Sequence, residues 1–292
     1  MLEHLMKTYA LAQGLDAELA EEAGDAREDG GVYSLGFGNA LCTFSEECGA
    51  RGESSALAVC HVRTISAGDS DEEFIAAVRR ITGLGLSAVP IFSEEGLSLG
   101  LMARLGLAGI SDAAFLDWMN DLERMCRSAF GEVETMLPAQ REAVGSGPLR
   151  MLFEAAGAPL EDTGENLFWR LALPQGVIFL ECDPWSGQAR LRSLAAGREP
   201  SAEELRTMLA FNLGLSGKGW LLEQSGLVWY CSPLPVPSVE EAGQSAPGLA
   251  QAIALHLENS RDVSSCLAEG RKDTGADGPA DMLFHLMHSL RV

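Results

Sequence analysis

Apolar residues open the chain at Leu2, Leu5, Met6, Tyr9 and Leu11, close to the 3.6-residue period, and predict a helix over residues 2–15. Residues 16–31 are acidic and carry glycines, so they read as a loop. From Val32 the period falls to two. Residues 32–38 and 39–48 predict a strand pair that turns near Gly38-Asn39, and residues 55–65 a third strand after a turn at 51–54. Ser70 then precedes an apolar face of Phe74, Ile75, Val78 and Ile81, with Glu73 at the capping-box position, which predicts a helix that Gly83 and Gly85 end. Residues 86–92 and 97–105 predict a hairpin. Pro90 cannot donate to a ladder, so its strand is expected to be short or at an edge. Ser111-Asp112 opens a long helix to about Glu134, with Phe115, Met119, Leu122, Cys126 and Phe130 on one face.

The second half repeats this order. Residues 148–156 predict a short helix. Three strands follow at 166–173, 176–182 and 187–195, separated by Pro174-Gln175-Gly176 and by residues 183–187. Ser201 caps a helix to about Leu213, with Glu204 three residues on. Residues 218–224 and 226–234 form a hairpin about Ser225-Gly226, and residues 247–261 a closing helix. Glu203 corresponds to Glu72 and Gly226 to Gly96, about 130 residues apart. The expected fold is therefore α+β: two tandem α-β-β-β-α-β-β-α units, each an antiparallel five-stranded sheet with helices on it. A sheet of that size leaves a face partly uncovered and commonly pairs with a copy of itself, so the fused copies are expected to form an intramolecular pseudo-dimer. The expected divisions are a first repeat at 1–137, a linker at 138–147, a second repeat at 148–261, a flexible segment at 262–278 and a C-terminal amphipathic helix at 279–292.

Composition narrows the partners. Of 292 residues 47% are apolar, enough for a sizeable core, and the formal charge is −21. That charge repels phosphate backbones and anionic lipid, so neither nucleic acid nor a membrane is an expected partner, whereas a basic or polar extended polypeptide suits it. The seven cysteines form no CxxC pair, and Cys42, Cys60, Cys182 and Cys231 fall in strand-like runs where a thiol acts as a small apolar side chain. An odd count without framework spacing points to a reducing compartment. The opening residues 1–15 have no basic region, long apolar stretch or cleavage site, so no signal peptide is expected, and no run is long enough to span a bilayer. The expected location is cytoplasmic.

Residues 205–234, LRTMLAFNLGLSGKGWLLEQSGLVWYCSPL, carry a specific pattern: a helix ending in Asn212, Gly217, an apolar strand, a turn at Gly226-Leu227 and a second apolar strand. This resembles the class I type III secretion chaperones, the Tir-chaperone (CesT-like) family. Met208 stands where that pattern has its first leucine. The first half matches more loosely through Ile81, Gly85, Gly96 and Leu97. The resemblance covers most of residues 1–260, and the tandem form departs from the family's usual homodimers of separate chains. It implies a non-catalytic protein that holds an extended segment of a secreted, effector-type partner by edge-strand addition and apolar pockets. As one chain carrying both copies, it is expected to act as a monomer. The partner-contacting candidates are Leu5, Tyr9, Val32, Leu35, Phe37, Leu152, Phe153, Phe168, Trp169 and, in a turn, Trp185. Each of these is equally suited to an ordinary core.

Catalytic and cofactor patterns are weak. His285 and His288 share a helix face with Asp281 one turn earlier, a spacing open to a metal but also to plain surface histidines. Cys60 and His61 are adjacent on a strand and so point to opposite faces. Gly36-Phe37-Gly38 lacks a third glycine and a following helix, and residues 214–219 follow a helix rather than precede one, which fits a helix end better than a phosphate loop. No catalytic, cofactor or metal residue is therefore assigned. The alternatives are a regulator or adaptor of the same fold without an exported client, or an enzyme on this scaffold with His61 or His285 in a cleft.

Overall fold

The computed structural model describes residues 1–14, 32–48, 54–65, 69–84, 89–93, 97–129, 146–164, 167–182, 189–214, 219–234 and 242–269. Contact clustering divides the chain into two compact units, Met1–Leu84 with Ser93–Met136, and Gly85–Phe92 with Leu137–Val292.

The first half runs α1 (Leu2–Ala12), β1 (Tyr33–Phe37), β2 (Ala40–Cys48), β3 (Ser54–Thr64), α2 (Asp71–Thr82), β4 (Val89–Ser93), β5 (Ser98–Gly106) and α3 (Asp112–Ala129). The second runs α4 (Ser146–Ala155), β6 (Glu161–Asp162), β7 (Phe168–Leu173), β8 (Gly176–Cys182), β9 (Ala189–Ala196), α5 (Ala202–Gly214), β10 (Trp220–Gln224), β11 (Leu227–Leu234) and α6 (Ala242–Glu269). The first sheet has the strand order β1-β2-β3-β5-β4 and the second β6-β7-β8-β9-β11-β10. Without β6 the two orders are identical strand for strand. The fold is thus α+β, two antiparallel sheets of one topology with six helices among the described residues.

Local chemistry sets the element boundaries. Ser70 Oγ accepts from the Glu73 N–H at 3.3 Å, and Glu73 Oε2 accepts from the Ser70 N–H at 2.9 Å. Ser201 and Glu204 repeat this reciprocal pair at 3.2 and 2.8 Å. Each cap satisfies donors at a helix start that no carbonyl of that helix can reach. The β10–β11 hairpin closes through Ser225 and Gly226, both at positive φ, 56° and 76°, the two-residue turn whose twist suits flanking strands. Pro90 lies in β4, at one end of its sheet, as its missing donor requires. In β3 the register shifts between His61 and Arg63, opposite Gly100. A Cβ at Gly100 would come within 2.3 Å of the Cys60 carbonyl oxygen, so only glycine fits there.

Strand alternation decides what each face carries. In the second unit Trp169, Leu171, Ile178, Leu180, Ala189 and Leu191 point to one face and pack with Leu149, Leu152 and Phe153 of α4 and Leu249, Ile253 and Leu257 of α6. In the first unit Tyr9, Phe37, Phe44 and Trp118 form an edge-to-face series with centroids 6.5, 6.3 and 6.2 Å apart, joining α1, β1, β2 and α3.

Two expectations need revision. Helix α6 is longer than the 247–261 read from the sequence, and residues 262–269 are its last turns. Strand β6 was not expected at all. Residues 15–31, most of the 138–147 linker and everything beyond Glu269, including the C-terminal helix expected at 279–292, lie outside the described residues.

Asn212 holds α5 to the strand after it. Its Nδ2 donates to the carbonyls of Leu221 and Pro90, both at 2.9 Å, and its Oδ1 accepts from the Leu221 N–H at 2.7 Å. The side chain is 0% exposed. Replacing Asn212 by Ala leaves three buried backbone groups unpartnered and is expected to cost about 2–4 kcal/mol. Asn212→Asp is expected to be worse at neutral pH, because a carboxylate would face two carbonyl oxygens, and to recover part of the loss in acid. Urea unfolding midpoints at neutral and acid pH check this, and equal stability of the two variants throughout would refute it.

Candidate functional site

The face of the second sheet opposite α4 and α6 is built by the same alternation. Cross-strand pairs place Phe168 beside Glu181, Phe179 beside Arg192, Glu181 beside Arg190 and Trp229 beside Leu194. Phe168 and Phe179 stack with centroids 5.3 Å apart and planes within 3°. Phe179 meets Trp229 edge-on at 5.8 Å. The Arg192 guanidinium lies 4.4 Å from the Trp229 ring centre and 5.9 Å from that of Phe168, so the cation is flanked by aromatic faces. Val177 and Leu194, on the same face, are 41% and 48% exposed.

The charges on this face do not balance. Glu181 Oε2 accepts from Arg190 Nε and Nη2 at 3.0 and 2.9 Å and from Arg192 Nη1 at 2.7 Å. Burial pushes the Glu181 carboxyl up, but the two guanidiniums outweigh it and hold the group below its ordinary value. Among the described residues one carboxylate thus answers two guanidiniums that are 6% and 5% exposed, in a chain of net charge −21. Arg192 Nε is buried with no hydrogen-bond partner among the described residues. Phe168, Phe179 and Trp229 stay half-buried, so the ledge presents aromatic surface around two buried guanidiniums.

The first unit offers an edge rather than a ledge. Among the described residues strand β1 ends its sheet, and its first residues Tyr33, Ser34 and Leu35 are half-buried. The start of α1 is fixed beside it: Glu46 Oε2 accepts from the N-terminal amine at 3.2 Å and from the Leu2 N–H at 3.0 Å, and Oε1 accepts from Ser54. The Ser54 hydroxyl first, then the Leu2 N–H, holds the Glu46 carboxyl below its ordinary value.

The ten sequence candidates divide by position. Leu5, Tyr9, Phe37, Leu152, Phe153 and Trp169 are buried within the chain, Leu35 and Phe168 are half-buried, and Val32 is 46% exposed. Trp185 lies outside the described residues, as do His285, His288 and Asp281. The structure brings Phe168 into the ledge and sends its neighbour Trp169 to the core, as adjacent strand residues must go. Sequence reading passed over Phe179, Arg190, Arg192 and Trp229. The alternation of arginines with apolar residues in ARLRSL was the available signal.

A separate polar group locks α6. His256, 1% exposed, is hydrogen-bonded through Nε2 to Ser193 Oγ at 2.9 Å and through Nδ1 to Ser232 Oγ at 2.7 Å. It stacks obliquely on Tyr230, whose hydroxyl accepts from Asn259 Nδ2 at 3.3 Å. A neutral imidazole donates through one nitrogen and accepts through the other, so a hydroxyl on each side satisfies it. The arrangement fastens the helix to β9 and β11.

Among known proteins, no protein-family model and no curated protein matches the sequence.

Burial pushes the His256 pKa down to about 3. The unfolded value is about 6.5, so between these limits the unfolded chain binds the extra proton and stability rises with pH. The contribution of His256 is complete above about pH 6.5 and falls by roughly 1.4 kcal/mol per unit toward pH 3. His256→Gln keeps a donor and an acceptor and removes the titration. The difference in urea midpoint between the two proteins is expected to shrink from pH 7 to pH 4.5. A pH-independent difference would count against a neutral buried imidazole.

Proposed function

We propose that the chain is a binding protein that holds a segment of another polypeptide in extended form, as the resemblance to type III secretion chaperones implies. The observation that carries this reading is the pairing of β6 with β7. In the second unit, the edge strand equivalent to β1 already accepts an extended segment: Glu161 pairs with Arg170 and Asp162 with Trp169, antiparallel. Two ion pairs hold that segment, Arg170 to Glu161 at 2.9 Å and Arg150 to Asp162 at 2.6 Å, all with exposed or nearly exposed side chains. Such pairs contribute little on their own, so main-chain pairing is the principal bond. The same edge in the first unit, β1, is the docking strand for the guest.

The ledge of Phe168, Phe179, Arg192 and Trp229 adds selectivity for a guest with an apolar or aromatic residue next to a carboxylate. Because both repeats belong to one polypeptide, the edge and the ledge are both supplied without a second chain. The two surfaces differ in chemistry, so one guest direction is preferred. No described helix is long and apolar enough to cross a membrane, which agrees with a guest presented in water.

Hydrogen exchange with short synthetic peptides tests this. Peptides of alternating apolar and polar residues, with and without a Glu, are added to the full chain. Binding is expected to slow exchange of the Tyr33–Phe37 amides by about tenfold or more. Proline at Ser34 or Leu35, whichever N–H points away from β2, is expected to abolish that protection. Arg192→Gln is expected to remove the preference for the Glu-containing peptide. Peptides that bind without slowing exchange in β1, or none that bind, would overturn the reading.

A further inference from the structure

We propose that Cys42, Cys60 and Cys126 form a three-sulfur site for a soft monovalent cation, copper(I). The thiols come from three elements, β2, β3 and α3, and converge in the core of the first unit. Their sulfurs all lie within 4.8 Å of one another, and the Cys42 and Cys126 sulfurs are 3.7 Å apart. Three sulfurs bound to one ion at about 2.3 Å stand about 4 Å from each other, so the free thiols already hold nearly the bound spacing. Among the described residues this is the single group of three His, Cys, Asp or Glu side chains close enough to share an ion.

The surroundings select the ion. All three cysteines are fully buried, and Phe44 and Leu122 beside them in sequence and on the same elements are buried too. A dry apolar site tolerates little net charge. A monovalent ion replaces one proton: one thiol S–H bond breaks, a sulfur–copper bond forms, and the proton leaves to solvent. The site stays neutral while the other two thiols coordinate through their lone pairs, and no electron is transferred because copper enters as copper(I). A divalent ion would need a second ionised sulfur to reach neutrality, and zinc further prefers a fourth ligand, where these residues supply three. Soft sulfur ligands favour copper(I) over harder ions.

Cys42 and Cys126 are in hydrogen-bond contact through their sulfurs, and either can be the donor.

The test uses the full chain with Cys48→Ala and Cys266→Ala, which removes the exposed and half-exposed thiols. Copper(I) is added without oxygen against a coloured copper(I) chelator. About one equivalent per chain is expected to resist the chelator, with a sulfur-to-copper charge-transfer band and only sulfur neighbours in X-ray absorption. A further Cys126→Ala change, or Cys42→Ala in its place, is expected to lower retention by about a hundredfold. Copper(I) is also expected to raise the unfolding temperature of the chain with all three thiols, a readout that needs no core variant. Complete transfer of copper to the chelator, or retention unchanged by Cys126→Ala, would overturn the proposal. So would zinc alone being retained in a parallel titration.

Discussion

Each sheet in this protein depends on one long helix to keep water from its inner face. An antiparallel sheet with alternating side chains has one apolar face, and the helix that closes the repeat supplies much of its cover. In the first unit α3 brings Phe115, Met119, Leu122 and Cys126, all buried. In the second α6 brings Leu249, Ile253, Leu257 and the buried His256. The remaining features follow from this cover: inner strand positions must be apolar, and any hydrogen-bonding group the helix turns inward must find a partner on the strands. The two repeats meet that demand differently. Cys126 finds two thiols and His256 finds two hydroxyls. One topology thus encloses a soft, nearly apolar cluster in one copy and a hydrogen-bonded imidazole in the other.

Much of the fold was legible because its signals are local. A capping box needs two residues three apart, so Ser70 with Glu73 and Ser201 with Glu204 declared both second helices. Ser225-Gly226 declared a hairpin and Pro90 an edge for similar reasons. Recurrence of these signals in one order revealed the repeat. Strand β6 escaped because two exposed residues, Glu161 and Asp162, make no periodic pattern. The sequence reading stopped α6 at residue 261, yet the Ser264 hydroxyl donates to the Ser260 carbonyl four residues back and stays within the helix.

The site was less legible because it is made of tertiary contacts. Phe168 and Trp169 were equally attractive as letters, and only strand parity separates a ledge residue from a core residue. Arg190 and Arg192 went unnoticed because nothing local shows that β8 sets Glu181 opposite Arg190 and within reach of Arg192. The thiol cluster lay further out of reach. Cys42, Cys60 and Cys126 each read correctly as small apolar side chains, but nothing in the spacing of three residues on separate elements says that their sulfurs meet.

Charge gives the two repeats distinct tasks. A chain of net charge −21 repels acidic guests at long range, yet the ledge holds two guanidiniums against one carboxylate. Salt shortens the long-range repulsion to roughly 10 Å, whereas the partly buried ledge is screened much less. In the proposed function, an acidic residue of a guest would therefore meet less repulsion near Arg190 and Arg192 than the net charge alone implies. The edge strand β1 has no such preference, because main-chain pairing is indifferent to side-chain charge. In the proposed function the edge would contribute affinity that is indifferent to side-chain charge, and the ledge selectivity. Two copies that have diverged can divide these properties, whereas identical copies present the same surface twice.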